Sequence, residues 1–154
     1  MDGRLLRCSI GRSGIGQKRG EGDGITPEGR FRILGWMGRA DRLGPLPQMR
    51  AIGPSSRWSD DPSDPKYNQP SLFEAPRFSS ERLHRPDHLY DLVGILDYNL
   101  PTPVSGRGSA IFVHVWRAPL RPTEGCIAFS HRDIRWILQR WRPWDRVVVR
   151  GAKS

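Results

Sequence analysis

Ser109-Ala-Ile-Phe-Val-His-Val-Trp116, followed after a loop holding Pro119 and Pro122 by Thr123-Glu-Gly-Cys-Ile-Ala128, decides how this chain is read. The first stretch alternates. Ile111, Val113 and Val115 fall on one face of an extended segment, and Ala110, Phe112, His114 and Trp116 on the other. A strand is predicted, with His114 turned away from the more aliphatic face. The second stretch is a turn that ends on Gly125-Cys126. A thiol attacks acyl carbon as its thiolate, and a free pKa of about 8.5 leaves only a few per cent ionised at neutral pH unless a base or positive field assists. His114 is the base at hand. The order of strand, loop, glycine and cysteine places a thiol and an imidazole where nucleophilic catalysis can use both, Cys126 as nucleophile and His114 as general base; a histidine satisfied within a sheet and a thiol packed under a loop are the alternative. Backbone N–H groups of Gly125 and Cys126 are the expected oxyanion donors. The group that orients the imidazole is left open between Asp97, Asn99 and a backbone carbonyl.

These residues resemble the catalytic core of the L,D-transpeptidases, the YkuD-type cysteine enzymes of bacterial peptidoglycan, whose pattern is a strand histidine, a loop, then Ser/Thr-x-Gly-Cys and an aliphatic residue. Thr123-Glu124-Gly125-Cys126-Ile127 supplies that pattern here, and Gly22-Asp-Gly-Ile-Thr-Pro-Glu-Gly-Arg-Phe31 is similar to the Thr-Pro-x-Gly-x-Phe segment near the start of the domain. Val115, Glu124 and Ala128 stand where the family often has glycine, histidine, and arginine or asparagine. The resemblance implies a mainly β fold, a sandwich or barrel with one principal helix and long Pro/Gly-rich loops. It also implies acyl transfer through a Cys126 thioester on peptidoglycan stem peptides, giving 3→3 crosslinks and a role in cell-wall organisation and cell shape. L,D-carboxypeptidase trimming, with water as acceptor, is the alternative within the same chemistry. Thr123, Tyr90, Asn99 and Glu81 are candidate substrate contacts, no cofactor or metal is expected, and the implied location is the periplasm or cell envelope.

At 154 residues the chain suits a single domain, 1–154, which at that size can bury about two thirds of its unfolded surface. Fourteen prolines, 17 glycines and a mean hydropathy of −0.59 favour short strands and ordered loops over a helical bundle. The net charge of +9 is almost wholly arginine, since lysine occurs only at positions 18, 66 and 153. Such a surface is either simply solvated or suited to an anionic partner. No compact basic run and no zinc-finger, RRM or helix-turn-helix pattern accompanies it, so a nucleic-acid-binding module without catalysis is only the alternative from another class. Met1 to Arg4 runs into a strand-like segment with no apolar stretch of signal-peptide length, which leaves a cytoplasmic location open, and no stretch is apolar enough for membrane insertion.

Along the chain, strands are predicted over 3–10, 30–36, 89–98 and 145–150, with a glycine-rich loop over 11–29. Cys8, sharing a strand face with Leu6 and Ile10, is expected to be an ordinary buried thiol. Lys18 falls out of phosphate-loop spacing because Gln17 separates it from Gly16. The stretch 37–78 is rich in proline and lacks periodicity. Trp58, Tyr67, Leu72 and Phe73 argue for order there, and it is expected to be a loop or lid walling the site. Residues 79–88 are expected to form a turn or short helix. His84 and His88, near Asp87 and Asp91, lack metal spacing because Pro86 interrupts them. Ser130 with Asp133 resembles a capping box, and Ile134, Ile137, Leu138 and Trp141 recur at helical spacing, so a helix is predicted over 131–141, with His131 at its surface and Pro143 as its stop. Trp136, Trp141 and Trp144 could form a carbohydrate platform, but core packing suits the helix-face Trp141 better.

Overall fold

The alternation at 109–116 becomes the middle of the molecule. In the computed structural model, which describes residues 3–72 and 76–151, the chain is mainly β. In order it forms β1 (Cys8–Ser9), β2 (Ile15–Gly16), β3 (Thr26–Pro27), β4 (Gly29–Phe31), β5 (Ile33–Gly38), α1 (Ala40–Leu43), β6 (Met49–Ala51), β7 (Ser56–Ser59), β8 (Pro70–Leu72), β9 (Ser80–Arg82), β10 (Leu92–Leu96), β11 (Phe112–Val115), β12 (Ile127–Phe129), α2 (His131–Arg140) and β13 (Val147–Val149). Six strands make the central sheet, in the order β1-β12-β11-β10-β5-β6. Two short pairs, β13-β4 and β2-β3, and a three-stranded sheet, β8-β7-β9, lie outside it.

Both faces of the central sheet are covered, as the period-2 pattern requires. Val113 and Val115, with Leu92, Leu96 and Ile127, pack against Ile134, Ile137, Leu138 and Trp141 of α2. The other face carries Ala110, Phe112 and Val93, which pack with Trp58 of β7, Leu83 and Tyr90. There the Trp58 and Phe112 rings meet edge to face with centroids 5.1 Å apart. α2 forms where its spacing predicts: the Ser130 hydroxyl accepts the Asp133 N–H at 3.0 Å and donates to the Asp133 carboxylate at 2.8 Å, and Trp141, which caps the end, is buried. Trp144 is exposed.

Several expected elements differ. Only Cys8 and Ser9 of 3–10 are strand, and Cys8 is exposed rather than buried, because β1 is the outer strand of the sheet and has a neighbour on one side only. Residues 79–88 contain β9 and no helix. The described part of 37–78 carries the end of β5, then α1, β6, β7 and β8, with Trp58 and Tyr67 buried; Phe73 lies outside the described residues. His88 bonds the Trp116 carbonyl at 2.8 Å, Asp87 pairs with Arg85, and Asp91 pairs with Arg42 and lies 3.6 Å from His131. Among the described residues no helix is long and apolar enough to cross a membrane.

Candidate active site

Three segments distant in sequence hold the Thr123–Cys126 turn. Its strand-like entry pairs with the N-terminal segment: Thr123 N–H donates to the Ile10 carbonyl at 2.9 Å, and Arg12 N–H to the Thr123 carbonyl at 2.8 Å. The Thr123 hydroxyl closes the turn on itself, accepting the Gly125 N–H at 3.1 Å and donating to the Cys126 carbonyl at 2.6 Å. Gly125 has φ +136°, and a Cβ there would stand 2.8 Å from the Ile25 carbonyl oxygen. Only glycine fits that backbone at that approach. The Ile25 carbonyl belongs to the glycine-rich loop, where the Lys18 ammonium binds it at 3.2 Å and the Asp23 carboxylate at 2.6 Å. The two stretches that carry the family resemblance, 22–31 and 123–127, therefore meet beneath the cysteine. Burial alone would raise the Asp23 carboxyl, but Lys18 and the backbone N–H groups of Ile25 and Arg19 outweigh it and hold the pKa down at about 2.

β12 runs parallel to β11, with Ile127 opposite Val113 and Ala128 opposite His114. Cys126 therefore enters beside Phe112, two residues from His114 on the same strand face. Its Sγ accepts the Phe112 N–H at 3.3 Å and donates to the Ala110 carbonyl at 3.2 Å, so its hydrogen bonds among the described residues are to backbone. Desolvation, with Glu81 nearby, pushes the thiol up to about 12, against smaller opposing effects of the Phe112 N–H and Lys18. His114 is buried, and desolvation lowers its pKa to about 4 although the Val115 carbonyl favours the protonated form. Nδ1 lies 2.8 Å from that carbonyl oxygen, which only accepts, so the proton sits on Nδ1 and Nε2 keeps the lone pair. The orienter is thus a backbone carbonyl. Asp97 instead holds the Arg32 N–H and guanidinium.

A cleft of about 420 Å³ opens over the pair. Of the sequence-predicted residues, Cys126, His114, Thr123, Tyr90 and Glu81 all line it. Asn99 is not brought there, because its amide is used to close the 99–108 loop on the Val104 and Gly108 carbonyls, each at 3.0 Å. The Tyr90 ring stands edge-on to the His114 imidazole at 5.4 Å, and its hydroxyl donates to Glu81. Lys18, Glu21, Asp60, Arg85, Ser109, Arg117 and Arg121 also face the cleft and were not foreseen. One signal pointed to Lys18: it is one of only three lysines in a chain whose basicity is otherwise arginine, and here its side chain is only 3% exposed.

An acyl-transfer site needs a nucleophile, a proton acceptor and a turn that presents backbone N–H groups, and this cleft assembles those residue types. No curated protein and no solved structure matches the chain. The YkuD family model, described as L,D-transpeptidase catalytic domain, matches residues 2–149. With that match spanning nearly its whole length, the chain belongs to the YkuD family of L,D-transpeptidase catalytic domains.

Proposed function

We propose that this protein transfers acyl groups of peptidoglycan stem peptides through a Cys126 thioester, as an L,D-transpeptidase of the cell envelope. The observation that carries the reading is the neutral thiol and neutral imidazole set on one face of the parallel β11–β12 pair, at the floor of the cleft. His114 Nε2 takes the thiol proton as Sγ bonds to the donor's amide carbon. The oxyanion is held by the Cys126 N–H, and by that of Gly125 once it leaves the Thr123 hydroxyl. The C–N bond to the terminal D-amino acid then breaks, and its nitrogen takes the proton back from His114. An acceptor amine next attacks the thioester, giving the 3→3 crosslink and returning the thiol. Water in place of the amine would make the same acyl-enzyme a carboxypeptidase.

Incubation with a stem tetrapeptide and with a carbapenem tests this by mass spectrometry. The expected result is an adduct on Cys126 and a crosslinked dimer of the peptide, both lost in Cys126→Ala. His114→Gln is expected to slow acylation by about 10² or more, the usual worth of a positioned proton acceptor. Because Cys8 is exposed, the assay belongs in a Cys8→Ser background. An adduct that survives Cys126→Ala in that background overturns the reading.

A further inference from the structure

The connection from β11 to β12 runs along the cleft and is pinned at both ends. His88 bonds the Trp116 carbonyl at 2.8 Å, and the Thr123 N–H donates to the Ile10 carbonyl at 2.9 Å. Between them Ala118-Pro-Leu-Arg121 makes a tight turn, closed by the Arg121 N–H on the Ala118 carbonyl at 3.1 Å. Leu120, third in that turn, has φ +59°, where glycine or asparagine is the usual occupant, and it stands 51% exposed. Backbone held in that region gathers at ligand-binding segments. The turn sets Arg117 and Arg121 on the cleft that holds Cys126 and His114. Both are exposed, and neither guanidinium donates to a side chain or carbonyl among the described residues. The other cations of the cleft are taken, Lys18 by Asp23 and the Ile25 carbonyl, and Arg85 at both ends of its fork by Asp87. No acid claims the two arginines. Glu124 accepts from Arg12 at 2.9 Å, while Glu81 and Glu21 accept from the Tyr90 and Tyr67 hydroxyls. Asp60 Oδ1 has no hydrogen-bond partner among the described residues, and Asp87 is held low chiefly by its bond to Arg85, with Arg117 acting on it only through space. A guanidinium fork matches one carboxylate bidentately, so either arginine alone can bind one and the two need not meet.

We propose that Arg117 and Arg121 bind the free carboxylate of the D-amino acid that leaves when Cys126 is acylated, and so select donors that carry that charge. Resting on the acyl-transfer reading above, this adds the groups that recognise the donor. The placement follows from the bonds of the substrate. Cys126 attacks the carbonyl carbon of the scissile amide, and His114 returns the proton to its nitrogen. The leaving residue's carboxylate carbon is two bonds from that nitrogen, so the reaction itself carries the negative charge into the part of the cleft that holds His114. Guanidiniums on a turn pinned at both ends meet it there. Holding the carboxylate keeps the scissile nitrogen within reach of the imidazole.

The test compares a stem tetrapeptide with the same peptide ending in a carboxamide, which keeps the size of the leaving group and removes its charge. Acylation of Cys126 is followed by mass spectrometry in the Cys8→Ser background, with each donor at limiting concentration. With Arg117 and Arg121 intact, the acid is expected to acylate about tenfold or more faster than the amide, the worth of one charge-assisted hydrogen bond. Replacing both, as Arg117→Gln with Arg121→Gln, is expected to bring that ratio near one, and the single variants divide the loss between the two side chains. Alkylation of Cys126 by iodoacetamide, which is uncharged and needs only the thiol, is expected to stay within twofold in the same variants, showing that the site remains formed. Equal acylation from acid and amide before any replacement, or an acid preference that survives the double replacement, overturns the carboxylate seat and leaves the thioester reading intact. A protein with both arginines that neither donor acylates overturns both.

Discussion

Cys126 and His114 share the cleft as a neutral thiol and a neutral imidazole, because each is desolvated and neither ion gains enough from its neighbours to form. That fixes the pH dependence of acylation. If the imidazole takes the proton in the step that forms the S–C bond, the reactive form is the neutral pair. The rate should then rise only around the His114 pKa near 4 and stay flat through neutrality until the thiol itself ionises near 12. Attack by a thiolate formed beforehand would instead climb about tenfold per pH unit across that range. A carbapenem-acylation profile from pH 5 to 9 is expected to be flat in the wild type and to slope upward in His114→Gln. A sloping wild-type profile sinks the general-base role. The same depressed imidazole has a consequence for stability. The unfolded chain binds the proton more tightly, so stability is undiminished above about pH 6.5 and falls as pH drops towards 4, by roughly 3 kcal/mol at most.

At the scale of the elements, the Thr123–Cys126 turn depends on a loop one hundred residues away in the chain, held by a buried Lys18–Asp23 pair whose side chains are 3% and 12% exposed. Lys18→Met would leave the Asp23 charge without its cation, held only by the backbone N–H groups of Arg19, Gly20 and Ile25, at a cost of about 1.5–3 kcal/mol. The loss should be recovered in part by protonating Asp23, so the variant's melting temperature is expected to approach the wild type's at low pH and lag it at neutrality. A lag that does not narrow on acidification would mean that Lys18 contributes packing alone. This support was the least legible part of the site. The alternation at 109–116 and the helical spacing of α2 are local signals, and both elements form where they point. Lys18, Glu21 and Asp60 reach the cleft through pairings between segments that share no local pattern. The wall strands are three or four residues long, and β8 begins on Pro70, at the edge of its sheet where a missing N–H is tolerated. Segments that short cannot display a period of two, which is why 37–78 reads as loop.

Across the whole molecule, the central sheet divides structural packing from chemistry. One face is sealed by α2, with Ile134 fully buried at its centre, and the other carries the side chains of Phe112 and His114 with Tyr90 and Trp58 against them. The sequence revealed which face His114 occupies, but not that Cys126 would enter from a parallel neighbour, since register across an eleven-residue connection depends on tertiary pairing. The division predicts separable effects. Ile134→Ala opens a cavity under the helix and is expected to cost about 2–5 kcal/mol in denaturant unfolding, with acylation of the folded enzyme within twofold of wild type. Phe112→Ala is expected to cost a similar amount, but also to slow acylation, because its ring braces Tyr90 at 5.9 Å, beside His114. The two variants are compared at a temperature where both remain folded, so any difference in acylation belongs to the site. If Ile134→Ala slows acylation as much as Phe112→Ala does, the sheet transmits packing across its thickness, and the site is not insulated from the helix behind it.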